Sequence, residues 1–310
     1  MGGAATRDAF GEAIVRVGGD DRVVVLTGDL RDSTRTEKFA ETFPERFFDV
    51  GIAERNMLGI AAGLALSGKV PWAASFAAFV AGRFETLRVS VAYQEANVRI
   101  VGTHSGIGVG DDGYSQMALE DIAGIRALPN VSIVNPCDAI ETERAVEYLV
   151  DHVGPAYLRL TRQKVDDVNA EGYRFEFGKA VQLRDGNDVA IFGTGATVQE
   201  ALKAADSLAQ GGVTARVVNA HTLKPFDEDA VLRAAADCRA LVTVEDHSAT
   251  GGLGSAVAEV LATRDGRAPL LVLGTRDFGE SGSAEELYEK HGISGERVAE
   301  STQQFLERLE

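Results

Sequence analysis

A candidate acid catalyst stands where a short apolar segment meets a predicted helix. Glu54 follows Asp49-Val50-Gly51-Ile52-Ala53 and precedes a stretch rich in Gly and Ala, whose small side chains let another surface approach the backbone closely. A carboxylate at a helix start is often a cap or a first-turn acid that the helix dipole favours. Glu54 can also be a buried acid aimed at a ligand, and this segment alone leaves both interpretations open.

Other polar and aromatic residues follow predicted strands in the same half of the chain. They come just after apolar runs: Asp29 with Ser33, Phe76 with Phe79, and His104 with Asp112. Because the carboxyl ends of parallel strands lie at one edge of a sheet, these side chains can converge although they are distant in sequence. Two phenylalanines three residues apart share one face of a helix turn, where core packing is the commoner role.

A glycine-rich segment also invites a nucleotide-binding interpretation. Gly108–Gly113 matches the Gly-x-Gly-x-x-Gly spacing of dinucleotide-binding loops. However, Asp111 and Asp112 lie inside this segment, which begins several residues after the predicted strand. A pyrophosphate needs bare backbone N–H groups and a helix N-terminus, so we favour another role for this loop.

Apolar runs that alternate with helical patterns predict the fold class. The runs that read as strands are 22–27, 47–50, 69–75, 97–103, 131–134, 156–160, 188–195, 214–219, 240–245 and 270–273. The helical patterns between and around them include 6–18, 197–210 and 300–309. We predict an α/β protein of two doubly wound, mostly parallel-sheet domains, at 1–165 and 188–310, joined by a polar linker at 166–187.

The composition is that of an acidic globular chain. Of the 310 residues, 45% are hydrophobic and 25% are charged, and the formal net charge is -16. Nucleic acids and anionic membranes would repel this charge, so we expect neither as a partner. Cys137 and Cys238 lack the spacing of zinc ligands, and no apolar run suits a signal peptide or a membrane span. These features predict a reduced, cytoplasmic protein.

Five motifs, in order, resemble those of the transketolase family. They are Gly51–Met57, Ser75–Phe79, Thr103–Gly113, Pro129–Val131 and Leu160–Gln163, and the similarity continues through Val189–Thr197 and Glu245–Gly254. The resemblance covers essentially the whole chain. It implies a pyrimidine-binding domain for thiamine diphosphate, followed by a smaller transketolase C-terminal domain.

The resemblance assigns cofactor roles to four residues. Glu54 matches the catalytic glutamate whose carboxyl group bonds to the pyrimidine ring and activates the cofactor, a task for a positioned acid. Phe76 and Phe79 match the aromatic residues around that ring, where flat apolar faces exclude water. Asp29 matches an acid near the cofactor at the subunit interface, and Gly82 stands where a third aromatic residue often occurs.

The resemblance also assigns a substrate side. Arg7, Ser33 and Arg162 fall where the family binds the phosphate of a sugar phosphate, a task suited to guanidinium groups. His104 matches a catalytic position close to that phosphate, and Asp112 matches a contact to a substrate hydroxyl. Gln116 stands where transketolases usually carry a histidine. Its amide can form hydrogen bonds but cannot carry a proton at neutral pH, which leaves the donor and the acceptor undefined.

The family's diphosphate-binding motif is missing from the sequence. Transketolases bind the cofactor's diphosphate through Mg²⁺ with a Gly-Asp-Gly segment and a later Asn pair, and neither occurs here. The resemblance therefore implies that this chain holds no metal itself and shares thiamine diphosphate with a partner. That partner is an N-terminal subunit that carries the diphosphate-binding domain and Mg²⁺, in an α2β2 heterotetramer.

The leading hypothesis is the C-terminal subunit of a split transketolase. With its partner it would transfer a two-carbon ketol unit from a ketose phosphate to an aldose acceptor. The β subunit of a 2-oxoacid dehydrogenase shares this domain order, but the His104–Gly113 loop and Thr161-Arg162-Gln163 favour transketolase. A non-catalytic scaffold is the third hypothesis, and it gives no reason for Glu54, the two phenylalanines and the phosphate-site residues to occur together.

Overall fold

The computed structural model describes residues 3–170, 172–264 and 268–310. Residues 1–2 of the predicted first domain, Glu171 of the predicted linker and residues 265–267 of the predicted second domain lie outside this description. The strands are β1 Ala4–Ala5, β2 Val23–Thr27, β3 Phe47–Asp49, β4 Val70–Phe76, β5 Arg99–Thr103, β6 Ser132–Val134, β7 Ala156–Arg159, β8 Lys164–Val165, β9 Val181–Arg184, β10 Val189–Gly193, β11 Ala215–Asn219, β12 Thr222–Lys224, β13 Ala240–Ser248 and β14 Leu270–Thr275.

The helices alternate with these strands. They are α1 Thr6–Val17, α2 Glu37–Thr42, α3 Glu54–Leu66, α4 Ala77–Ala81, α5 Phe84–Thr86, α6 Asp121–Arg126, α7 Ala139–Asp151, α8 Thr197–Gln210, α9 Glu228–Asp237, α10 Leu253–Thr263, α11 Ala284–Lys290 and α12 Gly295–Glu307. Helix α5 continues directly into a π-helix at Leu87–Ala92. In the part of the chain that the structure describes, no helix is long and apolar enough to cross a membrane.

The first sheet has the order β12-β6-β7-β5-β4-β2-β3. Its strands are parallel except for β12, which pairs antiparallel with β6. Strands β2, β4 and β5 are buried along their whole length, as expected of a parallel sheet covered by helices on both faces. The second sheet has the order β14-β13-β10-β11-β9, with β9 as its antiparallel edge strand. The predicted α/β class with two mostly parallel sheets is confirmed.

Two short edge strands of these two sheets were not predicted, nor was the small antiparallel pair of β1 and β8. Strand β9 lies within the segment that the sequence indicates as a linker, yet it joins the second sheet. Strand β12 follows β11 in the chain but completes the first sheet. Through β12, the second half of the sequence therefore contributes a strand to the first sheet.

A buried ionic network holds the two halves together. The Arg159 guanidinium donates to Asp121 Oδ2 at 2.7 Å and to the backbone oxygen of Asp246 at 3.0 Å. The Asp246 carboxylate accepts from the Ile107 backbone N–H at 2.7 Å and from the Tyr288 hydroxyl at 2.8 Å. Since Arg159 and Asp121 lie in the first half and Asp246 lies in the second, the network fixes the glycine-rich loop against the second domain.

Candidate active site

The candidate site lies at the carboxyl edge of the first sheet. Strand register pairs Thr27 with both Asp49 and Ala74, and pairs Phe76 with Thr103. The segments that leave β2, β3, β4 and β5 therefore start side by side. Asp29, Glu54 and His104 come from these segments, and Phe76 is the last residue of β4.

Glu54 is a buried acid with few partners. It is the first residue of α3, and its side chain is 5% exposed. The Ser75 hydroxyl donates to Glu54 Oε1 at 3.5 Å, and Arg83 Nη2 lies 3.9 Å from Oε2. Gly28 passes close by, since a Cβ there would lie 3.7 Å from Oε1. In the described residues the carboxylate makes no capping bond to the helix, so its burial is unrelated to a cap.

Three rings stack beside the sheet edge. The Phe76 ring lies 5.2 Å from that of Phe79 and 3.7 Å from the imidazole of His104, measured between centroids. The interplanar angles are 23° and 27°. Phe76 is the last residue of β4, so the two phenylalanines span a strand–helix junction and do not share one helix turn as predicted. This column forms an apolar wall next to polar side chains.

His104 is a neutral histidine in one defined tautomer. Its Nε2 lies 2.9 Å from Arg7 Nη1, and its Nδ1 lies 2.9 Å from Thr103 Oγ1. A guanidinium group can only donate, so Nε2 accepts and the proton resides on Nδ1. Burial lowers the pKa of His104 to about 3, and the Arg7, Arg162 and Arg35 guanidinium groups add to this effect. The imidazole is therefore uncharged at neutral pH.

A cavity of about 270 Å³ opens next to His104. It is lined by Arg7, Asp32, Ser33, Arg35, Phe76, His104, Asp112 and Arg162. Three guanidinium groups surround it, from α1, from the loop after β2 and from the segment after β7. Such groups match the oxygen geometry of phosphate, so the cavity is suited to a tetrahedral anion.

The cavity arginines are held by the protein around them. Arg7 Nη1 donates to the Ser33 backbone oxygen at 3.1 Å, while Arg7 Nε is buried with no hydrogen-bond partner among the described residues. Arg162 Nη1 donates to the Val109 oxygen at 2.7 Å, and its Nε lies 3.8 Å from Asp112 Oδ2. These contacts orient the guanidinium groups before any ligand arrives.

The structure brings together only part of the predicted set. Arg7, Ser33, His104, Asp112, Arg162 and Phe76 share the cavity, whereas Asp29, Glu54, Phe79 and Gln116 are not among its described lining residues. Asp29 has a φ of 63°, and its N–H donates to Asp49 Oδ1 at 2.9 Å. Gln116 ends a 3-10 turn that begins at Tyr114. The roles of all these residues remain proposals.

Sequence reasoning missed four residues of this region. Asp32 and Arg35 line the cavity. Arg83 approaches Glu54, and Thr103 Oγ1 accepts the hydrogen bond from His104 Nδ1. Nothing in the spacing of Arg83 indicated a contact to Glu54. Arg35 carries no motif signal, because it stands in a polar loop that also contains Arg31 and Asp32.

The glycine-rich loop does not have the structure of a dinucleotide site. Residues Ile107–Asp112 form a 3-10 segment with a kink at Gly110, and no α-helix starts within this described segment. The backbone N–H groups of Ile107 and Gly108 donate to the Asp246 carboxylate at 2.7 and 3.3 Å. These donors are therefore already used to fix the loop against the second domain.

Within residues 3–170, 172–264 and 268–310, no three His, Cys, Asp or Glu side chains lie together in a way that could hold a metal ion. The buried carboxyl group of Glu54 and the partly exposed ring of Phe79 are residue types suited to a flat heteroaromatic ring that offers a hydrogen-bonding edge. The chemistry of these side chains thus fits the pyrimidine end of thiamine diphosphate.

Comparison with known proteins gives consistent matches along the chain. The model of the transketolase pyrimidine binding domain matches residues 2–167, and that of the transketolase C-terminal domain matches residues 178–298. A Methanocaldococcus jannaschii protein named for the C-terminal section of transketolase is 45% identical over 298 residues, covering 94% of this chain and 93% of that protein. A 6-deoxy-6-sulfo-D-fructose transketolase subunit of Clostridium sp. (strain MSTE9) is 42% identical over 291 residues, covering 93% and 90%.

A solved structure agrees with these matches. It is described as a split gene transketolase, inactive beta4 tetramer, and has a TM-score of 0.90 at 43% identity. The alignment covers 98% of this chain and 99% of that one.

The two matched domains and the architecture define a protein of the thiamine diphosphate-dependent transketolase class. The chain belongs to the transketolase family, and it corresponds to the C-terminal subunit of a split transketolase. The family resemblance predicted from the five motifs is confirmed.

Proposed function

We propose that this chain is the C-terminal subunit of a transketolase that moves a two-carbon ketol unit from a ketose phosphate to an aldose acceptor. The observation that supports the proposal best is a juxtaposition at one sheet edge. A buried acid, Glu54, accepts from the hydroxyl of Ser75, the residue before Phe76. Phe76 itself stacks on Phe79 and lines the cavity that three guanidinium groups surround. Cofactor activation and recognition of a sugar phosphate need these two features next to each other.

On the cofactor side, this chain's residues would bind and orient a ring. Thiamine diphosphate, when bound, supplies the nucleophilic carbon that carries the two-carbon unit. Glu54 would hold a proton between its carboxyl group and the pyrimidine edge, and its burial keeps water away from that bond. Phe79 and Phe76 would pack against the ring faces. Asp29 would lie at the boundary with the partner subunit.

On the substrate side, the cavity residues would hold the phosphate end of the sugar. Arg7 and Arg162 would bind phosphate oxygens together with Ser33, and Asp112 would contact a hydroxyl group. Neutral His104 has Nε2 as its acceptor atom, so it would orient Arg7 or accept from a sugar hydroxyl. Gln116 would add a hydrogen bond near the donor's reacting end without accepting a proton.

The partner subunit is part of the proposal. An N-terminal subunit would carry the diphosphate-binding domain and Mg²⁺, and two copies of each chain would form an α2β2 heterotetramer that is active only when assembled. The names of the relatives support this arrangement, since one is a transketolase subunit and the related solved structure is described as an inactive β4 tetramer. Cys137 and Cys238 are buried and free, which suits a reducing cytoplasm.

Reconstitution tests this proposal. The chain is mixed with an N-terminal subunit, thiamine diphosphate and Mg²⁺, and is assayed with xylulose 5-phosphate and an aldose acceptor. In parallel it is assayed with pyruvate and an electron acceptor, and the chain alone serves as the control. Ketol transfer by the mixture, and none by the chain alone, is the expected result. Turnover of pyruvate alone would instead support a 2-oxoacid dehydrogenase β subunit.

A further inference from the structure

One cavity arginine stands outside every motif on which the proposed function depends. Arg35 follows β2 and lines the cavity of about 270 Å³ together with Arg7 and Arg162. Its side chain is 39% exposed, compared with 62% for Arg31 in the same loop. The described lining of the cavity includes Arg35 and does not include Arg31.

The backbone places Arg35 at a conformational cost. Its φ is 62°, in the left-handed region that residues other than glycine rarely adopt. Buried hydrogen bonds on either side hold this geometry, because the Thr34 N–H donates to the Leu30 oxygen and the Thr36 N–H donates to the Arg31 oxygen, both at 2.8 Å. Strain that the surroundings enforce in this way is typical of functional positions.

Helix α1 packs closely against the loop that carries Arg35. A Cβ at Gly11 would lie 2.6 Å from the Arg35 Cβ and 2.7 Å from the Arg35 backbone oxygen, so the close approach requires glycine. Asp8, on the same helix, accepts from Arg35 Nε at 2.6 Å. Arg35 Nη1 donates to the Asp32 backbone oxygen at 3.3 Å. Helix α1 thus carries Arg7, the carboxylate of Asp8 that orients Arg35, and Gly11, whose missing side chain leaves space for Arg35.

The charge of Arg35 acts inside the cavity although Asp8 pairs with it. Burial is the largest cause that lowers the pKa of His104, and the Arg7, Arg162 and Arg35 guanidinium groups are the next causes. Burial also lowers the pKa of Arg7, and Arg35 is the next cause. Two separate groups in the cavity therefore experience the charge of Arg35, and at Arg7 the Asp8 and Asp112 carboxylates oppose its effect on the pKa.

We propose that Arg35 is a specificity-determining residue that makes this cavity select a dianionic phosphate monoester over a monoanionic tetrahedral group such as a sulfonate. The physical reason is that the attraction between a fixed cation and an anion scales with the charge of the anion, so each added guanidinium favours the dianion more. This inference rests on the proposed function for its substrate, since it names the charge state of the sugar's terminal group.

Anion binding by the chain itself tests the inference without any catalysis. Calorimetric titrations with inorganic phosphate and with methanesulfonate at pH 7.5 are made on the native chain, Arg35→Gln, Arg35→Lys and Arg31→Gln. The native chain is expected to prefer phosphate by about tenfold or more. Arg35→Gln should weaken phosphate binding about 10- to 100-fold and methanesulfonate binding less, as expected when a charge-assisted hydrogen bond is lost.

The other variants separate charge, geometry and folding. Arg35→Lys keeps the charge, so it should retain part of the phosphate preference and remains informative if Arg35→Gln does not fold. Arg31→Gln removes the same charge from the same loop, and we expect its affinities to stay within about twofold of native. Equal losses for the two anions in Arg35→Gln, or equal effects of Arg31→Gln and Arg35→Gln, would overturn the inference.

The assembled enzyme separates this inference from the proposed function. With the partner present, Arg35→Gln should raise KM for the ketose phosphate about 10- to 100-fold and leave kcat within about twofold, because binding and not chemistry is affected. Ketol transfer with an unchanged KM in Arg35→Gln overturns the role of Arg35 and leaves the proposed function intact. If Arg35→Gln loses the phosphate preference but the assembled enzyme transfers no ketol unit, the proposed function is overturned. The role of Arg35 in anion selection then stands.

Discussion

Arg7 Nη1 lies 2.9 Å from His104 Nε2, which fixes the proton of a buried histidine on its other nitrogen. From there a polar path continues inward. His104 Nδ1 donates to Thr103 Oγ1 at 2.9 Å, and the Thr103 hydroxyl donates to the Ser75 backbone oxygen at 3.4 Å. The Ser75 hydroxyl in turn reaches Glu54 at 3.5 Å. Arg7, which lines the cavity, and the buried acid are therefore linked through three intervening residues.

The low pKa of His104 has a consequence for stability at acidic pH. Burial and the nearby guanidinium groups lower this pKa from 6.5 to about 3. Between these values the unfolded chain binds more protons than the folded chain, so stability falls as the pH decreases through this window. We expect His104→Gln to lose this part of the pH dependence, about 1.4 kcal/mol per pH unit for one group, in urea unfolding between pH 4 and 7.

Nuclear magnetic resonance checks the same prediction directly. Imidazole ¹⁵N shifts of the chain at pH 5 should show His104 neutral and protonated on Nδ1. A charged imidazole at pH 5, or a neutral ring protonated on Nε2, would contradict the arrangement with Arg7.

Glu54 should be needed for activity but not for assembly. Glu54→Gln keeps the size of the side chain and removes its acidity, and Glu54→Ala removes it entirely. We expect ketol transfer by the assembled enzyme to fall about 100- to 10,000-fold in both variants, as for the loss of a positioned acid. Size-exclusion chromatography should show native assembly. Glu85→Gln, at an exposed acid that pairs with Arg55, is the matched control and should keep full activity.

We expect alanine substitutions at two glycines to change the free energy of unfolding in opposite directions. Gly11→Ala would place a Cβ 2.6 Å from the Arg35 Cβ, whereas a Cβ at Gly59 in α3 would meet no atom within 4 Å. We expect Gly11→Ala to lower the free energy of unfolding by about 1–3 kcal/mol and to weaken phosphate binding. Gly59→Ala should raise it by about 0.5–1 kcal/mol, since helical alanine is favoured over glycine. Urea denaturation of the chain measures both, and equal effects would refute the packing argument.

The buried pair between Arg159 and Asp121 should be costly to break. Their side chains are 3% and 0% exposed, and Arg159 Nε lies 2.7 Å from Asp121 Oδ2. Arg159→Met leaves a buried carboxylate without its partner, so we expect the free energy of unfolding to fall by about 3–5 kcal/mol. The double variant with Asp121→Leu should recover much of this loss. Arg144→Met, which breaks an exposed pair with Glu147, is the control and should have little effect.

The order of strands and helices was largely predictable from the sequence. Long buried strands such as β4 and β13 read as apolar runs, and their alternation with helices indicated the α/β class. Helix α11 was missed although Ser283 and Glu286 form a capping box at its start, a signal present in the sequence. Strand β9 was missed because a four-residue edge strand, Val-Gln-Leu-Arg, alternates too briefly to stand out from a polar segment.

The residues that match family motifs were also predictable, but the contacts between them were not. Motifs indicated Arg7 and His104 as separate positions, and they are 97 residues apart in the chain. Their hydrogen bond exists because the start of α1 is bound to the segment after β7, where the Thr161 N–H donates to Thr6 Oγ1 at 2.7 Å. Strand β7 pairs in parallel with β5, which His104 follows, so the two segments lie side by side. Register depends on how whole strands pair, and no local pattern encodes it.

By itself, the sequence determined the element order, the family, and the acid, aromatic and arginine residues available for chemistry, since these follow from local patterns and residue types. Only the tertiary structure decided that Arg35 joins Arg7 and Arg162, because its direction depends on a left-handed φ and on the space left by Gly11. It also decided that His104 is neutral. A pKa depends on burial and on charges from distant segments, and both arise only when the chain has folded.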